Sequence, residues 1–297
     1  MKITELLNGN KLAISFEVFP PKSDSGFKSV AKAVKEIAIL KPLFMSVTYG
    51  AGGGTSDYTL EIAKEIQKDF KVPSLAHLTC VSSTKESVQK NIEALKQAGI
   101  RNIMALRGDL TMEMKNNPCS VGELRYASKL VKMIKESGGD FCIGGACYPE
   151  VHPESPDQKS DIKYIKEKVE AGCEFLITQM FFDNNLLYNF LYKLREGGVF
   201  VPVIPGIMPI TKGNQVKRAI TLSGSHMPQR FKALVDKFGN NPNAMRQAGI
   251  AYATDQIIDL FANGINAVHV YTMNDPLVAK GIMDNLSNIL GNDFGEY

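Results

Sequence analysis

The 297-residue sequence has no apolar run approaching the roughly 20 residues of a membrane helix, and its first residues contain no small-residue cleavage site. It has little charge excess: 34 lysines and arginines against 31 aspartates and glutamates give +3, which does not indicate a nucleic-acid or acidic-membrane partner. Its five cysteines are odd in number and scattered through apolar segments, a usage that suits reduced thiols better than a disulfide framework. These absences predict a soluble, cytoplasmic protein whose partners are small molecules.

No linker, low-complexity segment or short repeat divides the chain, so we predict one domain over residues 1–297. Apolar strand-like runs alternate with segments whose apolar spacing of three and four is typical of helices. The predicted strands are Lys11–Phe19, Leu43–Tyr49, Pro73–Thr79, Asn102–Arg107, Phe141–Tyr148, Glu174–Gln179, Val201–Gly206 and Ala267–Tyr271. Eight strand–helix units predict an α/β fold of the (β/α)8 TIM barrel type, with extra helices near the C-terminus; a doubly wound open sheet is the alternative.

On one alternating face of several of these strands the residues are small or polar. Towards the C-terminal ends of the strands, this face carries residue types that are typical of functional sites. The residues that share this face are Ala13 and Ser15 with Glu17, Ser46 with Thr48, His77 with Thr79, Ala105 with Arg107, Gly144 and Ala146 with Tyr148, Ile177 with Gln179, and His269 with Tyr271. Barrel enzymes keep their active sites where the C-terminal ends of the strands meet. We therefore expect these side chains to converge at one mouth, which favours an enzyme or a small-molecule binder over a scaffold.

Glu17 is the first candidate for catalysis. It lies among aromatic and apolar neighbours at a predicted strand end, in the segment Ser15–Pro21. Poor solvation of a carboxyl group raises its pKa and makes it a plausible general acid near neutral pH. The alternative is an ordinary strand-end glutamate that pairs with a lysine or an arginine.

Arg107, Gly108 and Asp109 close another predicted strand. The glycine permits a tight turn, the guanidinium suits a flavin or phosphate oxygen, and the carboxylate can accept from the N–H groups of a pterin-like ring. A local ion pair between Arg107 and Asp109 explains the same pattern equally well. Gln179, at a third strand end, can either bind a heterocycle through its amide or satisfy neighbouring backbone groups.

Two loops are candidate ligand sites. The glycine-rich loop over 50–56 does not match the dinucleotide-binding fingerprint, because Thr55 replaces its third glycine, and a flexible loop at the mouth is the preferred interpretation. The proline-bracketed loop Tyr148–Pro153 favours ring stacking or phosphate contact, with no metal site, because Cys142 and Cys147 look like core residues and match no strong zinc spacing. Downstream polar residues, which either face a ligand or form a solvated helix face, are Asp161, Lys163, Lys166 and Lys168.

Seven segments together resemble the methylenetetrahydrofolate reductases. They run in order along nearly the whole chain and fall on predicted strand ends: Ser15–Pro21, Ser46–Ala51, Ala76–Cys80, Met104–Leu110, Ala146–Pro153, Ile177–Asp183 and Val203–Ile207. Each match is weak alone, but the set is specific. The length resembles the bacterial form, which is a catalytic barrel without the regulatory domain of the eukaryotic enzymes.

The resemblance implies FAD at the barrel mouth and a ping-pong reduction of 5,10-methylenetetrahydrofolate to 5-methyltetrahydrofolate, which supplies methyl groups for methionine synthesis. NADH or NADPH reduces FAD and leaves, and the reduced flavin then reduces the folate. By position, Glu17 resembles the general acid, Asp109 the residue that holds the pterin near the flavin, and Gln179 the glutamine that contacts folate and nicotinamide in turn. Gln215 and Tyr271 match further substrate positions. A homo-oligomer is also expected.

The same resemblance implies a set of flavin-binding residues. The positions that match FAD contacts or their supports are Thr48, Tyr49, His77, Arg107, Gly108, Asp109, Tyr126, Ala127, Tyr148, His152, Asp161 and Lys168. Two positions depart from the family pattern. Asp275 follows the last strand where members often have arginine, and Ala219 replaces an aromatic residue of some members. These departures affect the grip on the folate tail and the choice of electron donor.

Three alternatives remain at this point. A pterin-dependent methyltransferase barrel would bind folate without flavin. A flavin barrel of the proline dehydrogenase type would bind FAD and ignore folate. A non-catalytic barrel would bind folate or flavin only for regulation, a reading disfavoured by the joint presence of Glu17, Asp109 and Gln179.

Overall fold

A computed structural model describes residues 1–8, 11–21, 23–49, 56–110, 114, 116 and 122–290. Its strands are β1 (Ala13–Val18), β2 (Met45–Val47), β3 (Ser74–Thr79), β4 (Asn102–Leu106), β5 (Cys142–Cys147), β6 (Phe175–Thr178), β7 (Val203–Ile204), β8 (Gly206–Ile207) and β9 (Ala267–Tyr271). They form one sheet in the order β7-β6-β5-β4-β3-β2-β1-β9-β8, with parallel pairing between neighbours.

The sheet curls into a barrel through its seventh strand, which is divided at Pro205. β7 pairs with β6, and β8 pairs with β9 on the other side. Between them, the His269 backbone N–H donates to the Pro205 carbonyl oxygen at 2.8 Å. Proline has no N–H to give to a ladder, so regular pairing stops there. The predicted (β/α)8 TIM barrel is confirmed, but the continuous strand predicted over Val201–Gly206 is wrong at Pro205.

Helices surround the barrel. They are α1 (Ile3–Leu6), α2 (Phe27–Ala38), α3 (Ser56–Lys68), α4 (Lys85–Gln97), α5 (Ala127–Glu136), α6 (Gln158–Glu170), α7 (Asn184–Glu196), α8 (Gly213–Ser223), α9 (Gln229–Phe238), α10 (Pro242–Ala262) and α11 (Pro276–Leu286). Several begin at a side chain that accepts a backbone N–H of the first turn, namely Thr84, Asp157, Asp183, Asn241 and Asp275. No described helix is long and apolar enough to cross a membrane.

Alternation along the strands separates two apolar layers. On β1, Ile14, Phe16 and Val18 face outward and join the core shared with the helices. The inward residues of other strands, such as Leu75 and Met104, fill the lower interior. Ile3 of α1 belongs to this interior cluster, and its backbone N–H donates to Asn102 Oδ1 at 2.9 Å at the start of β4. The N-terminal end of the barrel is therefore plugged, and the polar inward residues are left to the opposite end.

One predicted facing is wrong. Ala105 packs in the outer core with Ile103, while the alternate residues Met104 and Leu106 of β4 point into the barrel. Alternation alone does not reveal which of two apolar faces turns inward. Arg107 therefore reaches the mouth from the turn after β4 and not from the barrel interior.

A third apolar cluster covers part of the C-terminal side of the barrel. It joins α8, α9 and α10 to the segments that follow β6 and β8, through Phe182, Met208, Phe231 and Tyr252. Phe231 stacks on Phe182 with ring centroids 4.8 Å apart, and the Tyr252 hydroxyl donates to the Phe182 carbonyl oxygen at 2.6 Å. Tyr271, at the end of β9, packs against this cluster. These helices are the predicted extra helices, and they build one wall of the mouth.

Candidate active site

Glu17 points into the barrel near the C-terminal end of β1. Its neighbours in register are Ser46 on β2 and Tyr271 on β9, and the side chain is buried with 7% of the residue exposed. Burial raises the pKa of Glu17 to about 8, because a charged carboxylate would lose its hydration there. At neutral pH this carboxyl group holds its proton, as a general acid must before it reacts.

His77 of β3 is the ring that faces this carboxyl group. Its Nε2 lies 3.8 Å from Glu17 Oε2, and this buried nitrogen has no hydrogen-bond partner within the described part of the chain. Burial lowers the pKa of His77 to about 4. Because Glu17 is protonated and His77 is unprotonated at neutral pH, the contact joins two neutral groups and is not an ion pair. The orphaned nitrogen leaves a polar position for a ligand.

A second histidine forms the floor beneath Glu17. His269 Nδ1 lies 2.8 Å from Ser15 Oγ, and its Nε2 lies 2.9 Å from Ser46 Oγ. The ring stacks on Phe44 with centroids 5.3 Å apart. Burial, together with a smaller effect of the nearby His77, lowers the pKa of His269 to about 3. The imidazole is therefore a neutral, fully hydrogen-bonded part of the floor.

Tyr271 closes the interior beside Glu17. Its hydroxyl donates to the Thr178 carbonyl oxygen at 2.6 Å, which joins β9 to β6 across the mouth. Burial raises the pKa of Tyr271 well above its ordinary value, and the Glu17 carboxylate would raise it further. The phenol remains a neutral donor at any pH near neutrality, so its ring can serve as a fixed wall beside a bound ligand.

Arg107, Gly108 and Asp109 form the rim above β4. Gly108 has a φ of +85°, which confirms the predicted tight turn. Arg107 Nη2 donates to Glu154 Oε1 at 2.7 Å and Nη1 donates to Glu154 Oε2, and this pairing raises the pKa of Arg107. The partner of the guanidinium is thus Glu154, which the sequence did not indicate, and not Asp109. Asp109 is exposed at the rim, where its charge acts on Arg107 and Tyr148.

The loop after β5 is held by α6. Asp161 is buried and accepts from the His152 backbone N–H at 3.2 Å and from Ser155 Oγ at 3.1 Å. Tyr148 and His152 form an edge-to-face pair with centroids 4.6 Å apart. Lys168 Nζ donates to the Ala146 carbonyl oxygen at 2.6 Å. The loop therefore presents an aromatic surface braced by an acid and a base from the same helix.

Gln179 connects the loop to the interior. Its Oε1 accepts from the Met180 backbone N–H at 2.9 Å. Burial raises the pKa of Tyr148, and an interaction with the Gln179 side chain opposes that rise. The carbonyl oxygen thus satisfies a neighbouring backbone group, and the side chain also interacts with Tyr148 at the mouth. That the Gln179 amide binds a heterocycle stays a prediction.

Thr48 and Tyr49 continue the rim above β2. Thr59 Oγ1 donates to the Thr48 carbonyl oxygen at 2.9 Å, and Asn91 Nδ2 donates to the Tyr49 hydroxyl at 3.1 Å. Tyr49 and His77 line a cavity of about 90 Å³ between these strands and α3 and α4.

Several predicted site residues lie apart from this group. Tyr126 is 54% exposed just before α5, and Ala127 begins that helix. Gln215 Oε1 accepts from the backbone N–H groups of Thr211 and Lys212, so it caps α8. Lys163 and Lys166 are exposed on α6. The glycine-rich loop lies outside the described residues from 50 to 55. Among the residues that the structure does describe, no group of three or more potential ligands is placed to hold a metal ion.

Comparison with known proteins gives a consistent family. The family model described as methylenetetrahydrofolate reductase matches residues 2–287. The chain is 34% identical over 276 residues to the 5,10-methylenetetrahydrofolate reductase of Pectobacterium carotovorum, covering 93% of this chain and 90% of that protein. It is 35% identical over 298 residues to methylenetetrahydrofolate reductase (NADH) 1 of Zea mays, covering 97% of this chain. The chain spans about half the length of that relative and of the other plant relatives that it matches.

A solved structure shares the fold. An uncharacterised protein from Clostridium thermocellum, described as binding two copies of 5-methyl-5,6,7,8-tetrahydrofolic acid, superposes with a TM-score of 0.68. The match covers 98% of this chain and 99% of that protein at 16% sequence identity. At that identity the match supports the barrel architecture alone.

Proposed function

The chain belongs to the methylenetetrahydrofolate reductase family, and on that premise we propose that it reduces 5,10-methylenetetrahydrofolate to 5-methyltetrahydrofolate. The observation that carries the proposal is the buried, protonated Glu17 at the mouth of the barrel. Opening the five-membered ring of the substrate requires a proton on the departing ring nitrogen. A carboxyl group with a pKa of about 8 still holds that proton at neutral pH and is a suitable donor.

The proposed cofactor is FAD, which when bound supplies the hydride chemistry that amino-acid side chains lack. The residues at the mouth fit such a group. Arg107 provides a guanidinium for an anionic oxygen, His77 offers an unpartnered buried nitrogen, and Tyr148 offers an aromatic surface. The proposed flavin contacts or supports are Thr48, Tyr49, His77, Arg107, Gly108, Asp109, Tyr126, Ala127, Tyr148, His152, Asp161 and Lys168.

The chain's own residues would provide the proton and the contacts to the substrate. Glu17 donates the proton, its burial keeps the carboxyl group in the neutral form, and His77 and Tyr271 lie beside it. Asp109 is exposed and in position to accept N–H groups of a pterin ring, and Gln179 borders the same space through Tyr148. Gln215 and Tyr271 complete the proposed substrate contacts. The proposed hydride donor is NADH or NADPH, which would occupy the mouth before the folate does.

The proposed cellular location and metabolic role accompany the proposed reaction. The free, buried thiols of Cys80, Cys142, Cys147 and Cys173 support a reducing cytoplasmic location. Burial raises the pKa of the Cys173 thiol to about 11, so it stays a protonated core residue. In such a compartment the enzyme would supply methyl groups for methionine synthesis. The expected homo-oligomer stays a prediction.

Product analysis tests the proposed reaction. Protein reconstituted with FAD is incubated anaerobically with NADH and methylenetetrahydrofolate, and the folates are separated by mass. The proposal predicts that 5-methyltetrahydrofolate accumulates in proportion to NADH consumed. Folate conversion that does not depend on FAD or NADH would instead favour a methyltransferase, and NADH oxidation without folate conversion would favour another flavin barrel.

A further inference from the structure

The loop that follows β9 has an unusual backbone. Met273 and Asn274 both have a φ of +55°, the left-handed region that residues other than glycine rarely adopt. Two such residues in succession persist only where the surrounding structure holds them. The contacts that hold this loop therefore indicate its structural role.

The side-chain contacts of this loop fall on the end of β1, and within the loop the Asp275 backbone N–H donates to the Thr272 carbonyl oxygen at 3.0 Å. Asn274 Nδ2 donates to the Phe19 carbonyl oxygen at 2.9 Å, and the Phe19 backbone N–H donates to Asn274 Oδ1 at 2.7 Å. Thr272 Oγ1 donates to the Glu17 carbonyl oxygen at 2.7 Å. The parallel register of β1 with β9 ends at the pair Glu17 and Tyr271. Side chains thus continue the connection between these two strand ends where backbone pairing stops.

This connection matters because little else fixes the Glu17 carboxyl group. Among the described residues no hydrogen bond to it is found, and His77 Nε2 lies 3.8 Å from its Oε2 atom. The direction of the side chain therefore depends on the backbone of β1 at Glu17 and on the two residues that follow. A general acid works only within hydrogen-bond reach of its target, so a small shift of this backbone has a large effect on rate.

We infer that Asn274 is a positioning residue for Glu17: its side-chain amide pins the backbone at Phe19 and so aims the Glu17 carboxyl group into the mouth. The inference rests on the proposed function, since it assigns Asn274 to the proton-donating step. Asn274 acts through the backbone at Phe19, and the Glu17 proton is the one that moves.

The first test uses Asn274→Gly. Glycine keeps the left-handed backbone accessible and removes both hydrogen bonds to Phe19, so loss of the amide is separated from backbone strain. Asn263→Gly is the matched control, because Asn263 lies between α10 and β9, whereas Asn274 follows β9, and the Asn263 side chain bonds to Asp259 of α10. We expect Asn274→Gly to slow folate reduction about 10-fold or more and to leave flavin reduction by NADH within about twofold.

A double-mutant cycle distinguishes positioning from a general structural role. If Asn274 acts through Glu17, Asn274→Gly causes no further loss in a Glu17→Gln background. The same fold-loss in both backgrounds, or an equal fall in both half-reactions, would overturn the inference. Where Asn274→Gly does not fold, Asn274→Asp replaces it. That variant keeps the acceptor for the Phe19 N–H and loses the donor to the Phe19 carbonyl oxygen. The same double-mutant cycle then distinguishes positioning from a structural role.

A second readout needs no turnover. The infrared band of the protonated Glu17 carboxyl group, identified by its absence in Glu17→Gln, is titrated against pH. We expect its midpoint to move towards the ordinary value of a glutamate in Asn274→Gly and to stay in place in Asn263→Gly. If the midpoint shifts in Asn274→Gly but the wild-type protein reduces no folate, the proposed function is wrong and the positioning of Glu17 by Asn274 still holds. An unchanged midpoint with normal folate reduction would sink the positioning alone.

Discussion

His77 Nε2 lies 3.8 Å from Glu17 Oε2 in a buried site where neither side chain is charged at neutral pH. Burial acts in opposite directions on the two groups, raising the pKa of the acid and lowering the pKa of the base. A pair that resembles an ion pair by distance is therefore a protonated carboxyl group beside a neutral imidazole. That state governs how both the folate reaction and the stability of the fold should depend on pH.

The pH dependence of folate reduction should report the Glu17 proton. Since the pKa of Glu17 is raised to about 8, we expect the rate of the folate half-reaction to be constant below that pH and to fall above it. Glu17→Gln should lower this rate by roughly 100-fold or more, remove the fall, and leave flavin reduction by NADH intact. The measurement is stopped-flow reoxidation of the reduced enzyme by methylenetetrahydrofolate from pH 6 to pH 9.

Glu196→Gln is the matched control, because Glu196 is exposed at the end of α7, away from the mouth. It should reproduce the wild-type rate and pH profile. Wild-type folate reduction by Glu17→Gln would remove Glu17 from the mechanism.

The same residue should make stability depend on pH. The unfolded chain releases the Glu17 proton near the ordinary value of 4.5, whereas the folded chain keeps it up to about pH 8. The contribution of this group to the free energy of unfolding is therefore fully present below pH 4.5 and is lost as pH rises towards 8, by an amount on the order of a few kcal/mol. We expect Glu17→Gln to gain stability relative to wild type as pH rises through this window.

Thermal melts of both proteins at pH 5, 6.5 and 8 measure that difference. Other titrating groups are shared by the two proteins, so the change in the melting-temperature gap isolates Glu17. A gap that is the same at all three pH values would contradict a raised pKa.

His269 should matter to the fold whatever the reaction is. Its two ring nitrogens are satisfied by Ser15 and Ser46, and its ring stacks on Phe44 in a fully buried position. His269→Ala leaves a cavity and removes one hydrogen bond from each of the buried hydroxyl groups of Ser15 and Ser46, so we expect a loss of about 2–4 kcal/mol in the free energy of unfolding. Denaturant titration measures it, with the exposed His226→Ala as the control; equal stabilities would show that the floor tolerates the loss.

Gly206 should be irreplaceable at the closure of the barrel. An added Cβ would overlap the Thr178 carbonyl oxygen and the Tyr271 hydroxyl, the two groups that hydrogen-bond across the mouth. We expect Gly206→Ala to reduce stability by about 1–3 kcal/mol or to prevent folding. Gly122→Ala is the control, since no described atom lies within 4 Å of its added Cβ. Equal melting temperatures for the two variants would contradict this view of the closure.

The fold was largely predictable because buried parallel strands consist of short apolar runs that can be recognised in the sequence. Ala267–Tyr271 was predicted with the bounds that the structure gives, and the inward positions of Glu17, His77 and His269 followed from alternation along the strands. Pro205 interrupts a strand whose apolar pattern continues through it, so its division was missed.

Other parts of the site could not be predicted from the sequence, because they depend on contacts between residues that are far apart in the chain. The partner of Arg107 is Glu154, 47 residues away, and the path of the loop after β5 brings them together. The left-handed backbone of Asn274 is stabilised in part by hydrogen bonds to Phe19, 255 residues earlier in the chain. Tertiary contacts of this kind leave no periodic signal in the residues themselves.

The measurement that tests the central claim most directly is an anaerobic absorbance spectrum of the protein reconstituted with FAD. We predict that the visible band of oxidised flavin bleaches on addition of NADH and returns on addition of methylenetetrahydrofolate. A band that NADH bleaches and the folate never restores would contradict folate reduction. A protein that takes up no flavin would contradict the reductase account as a whole.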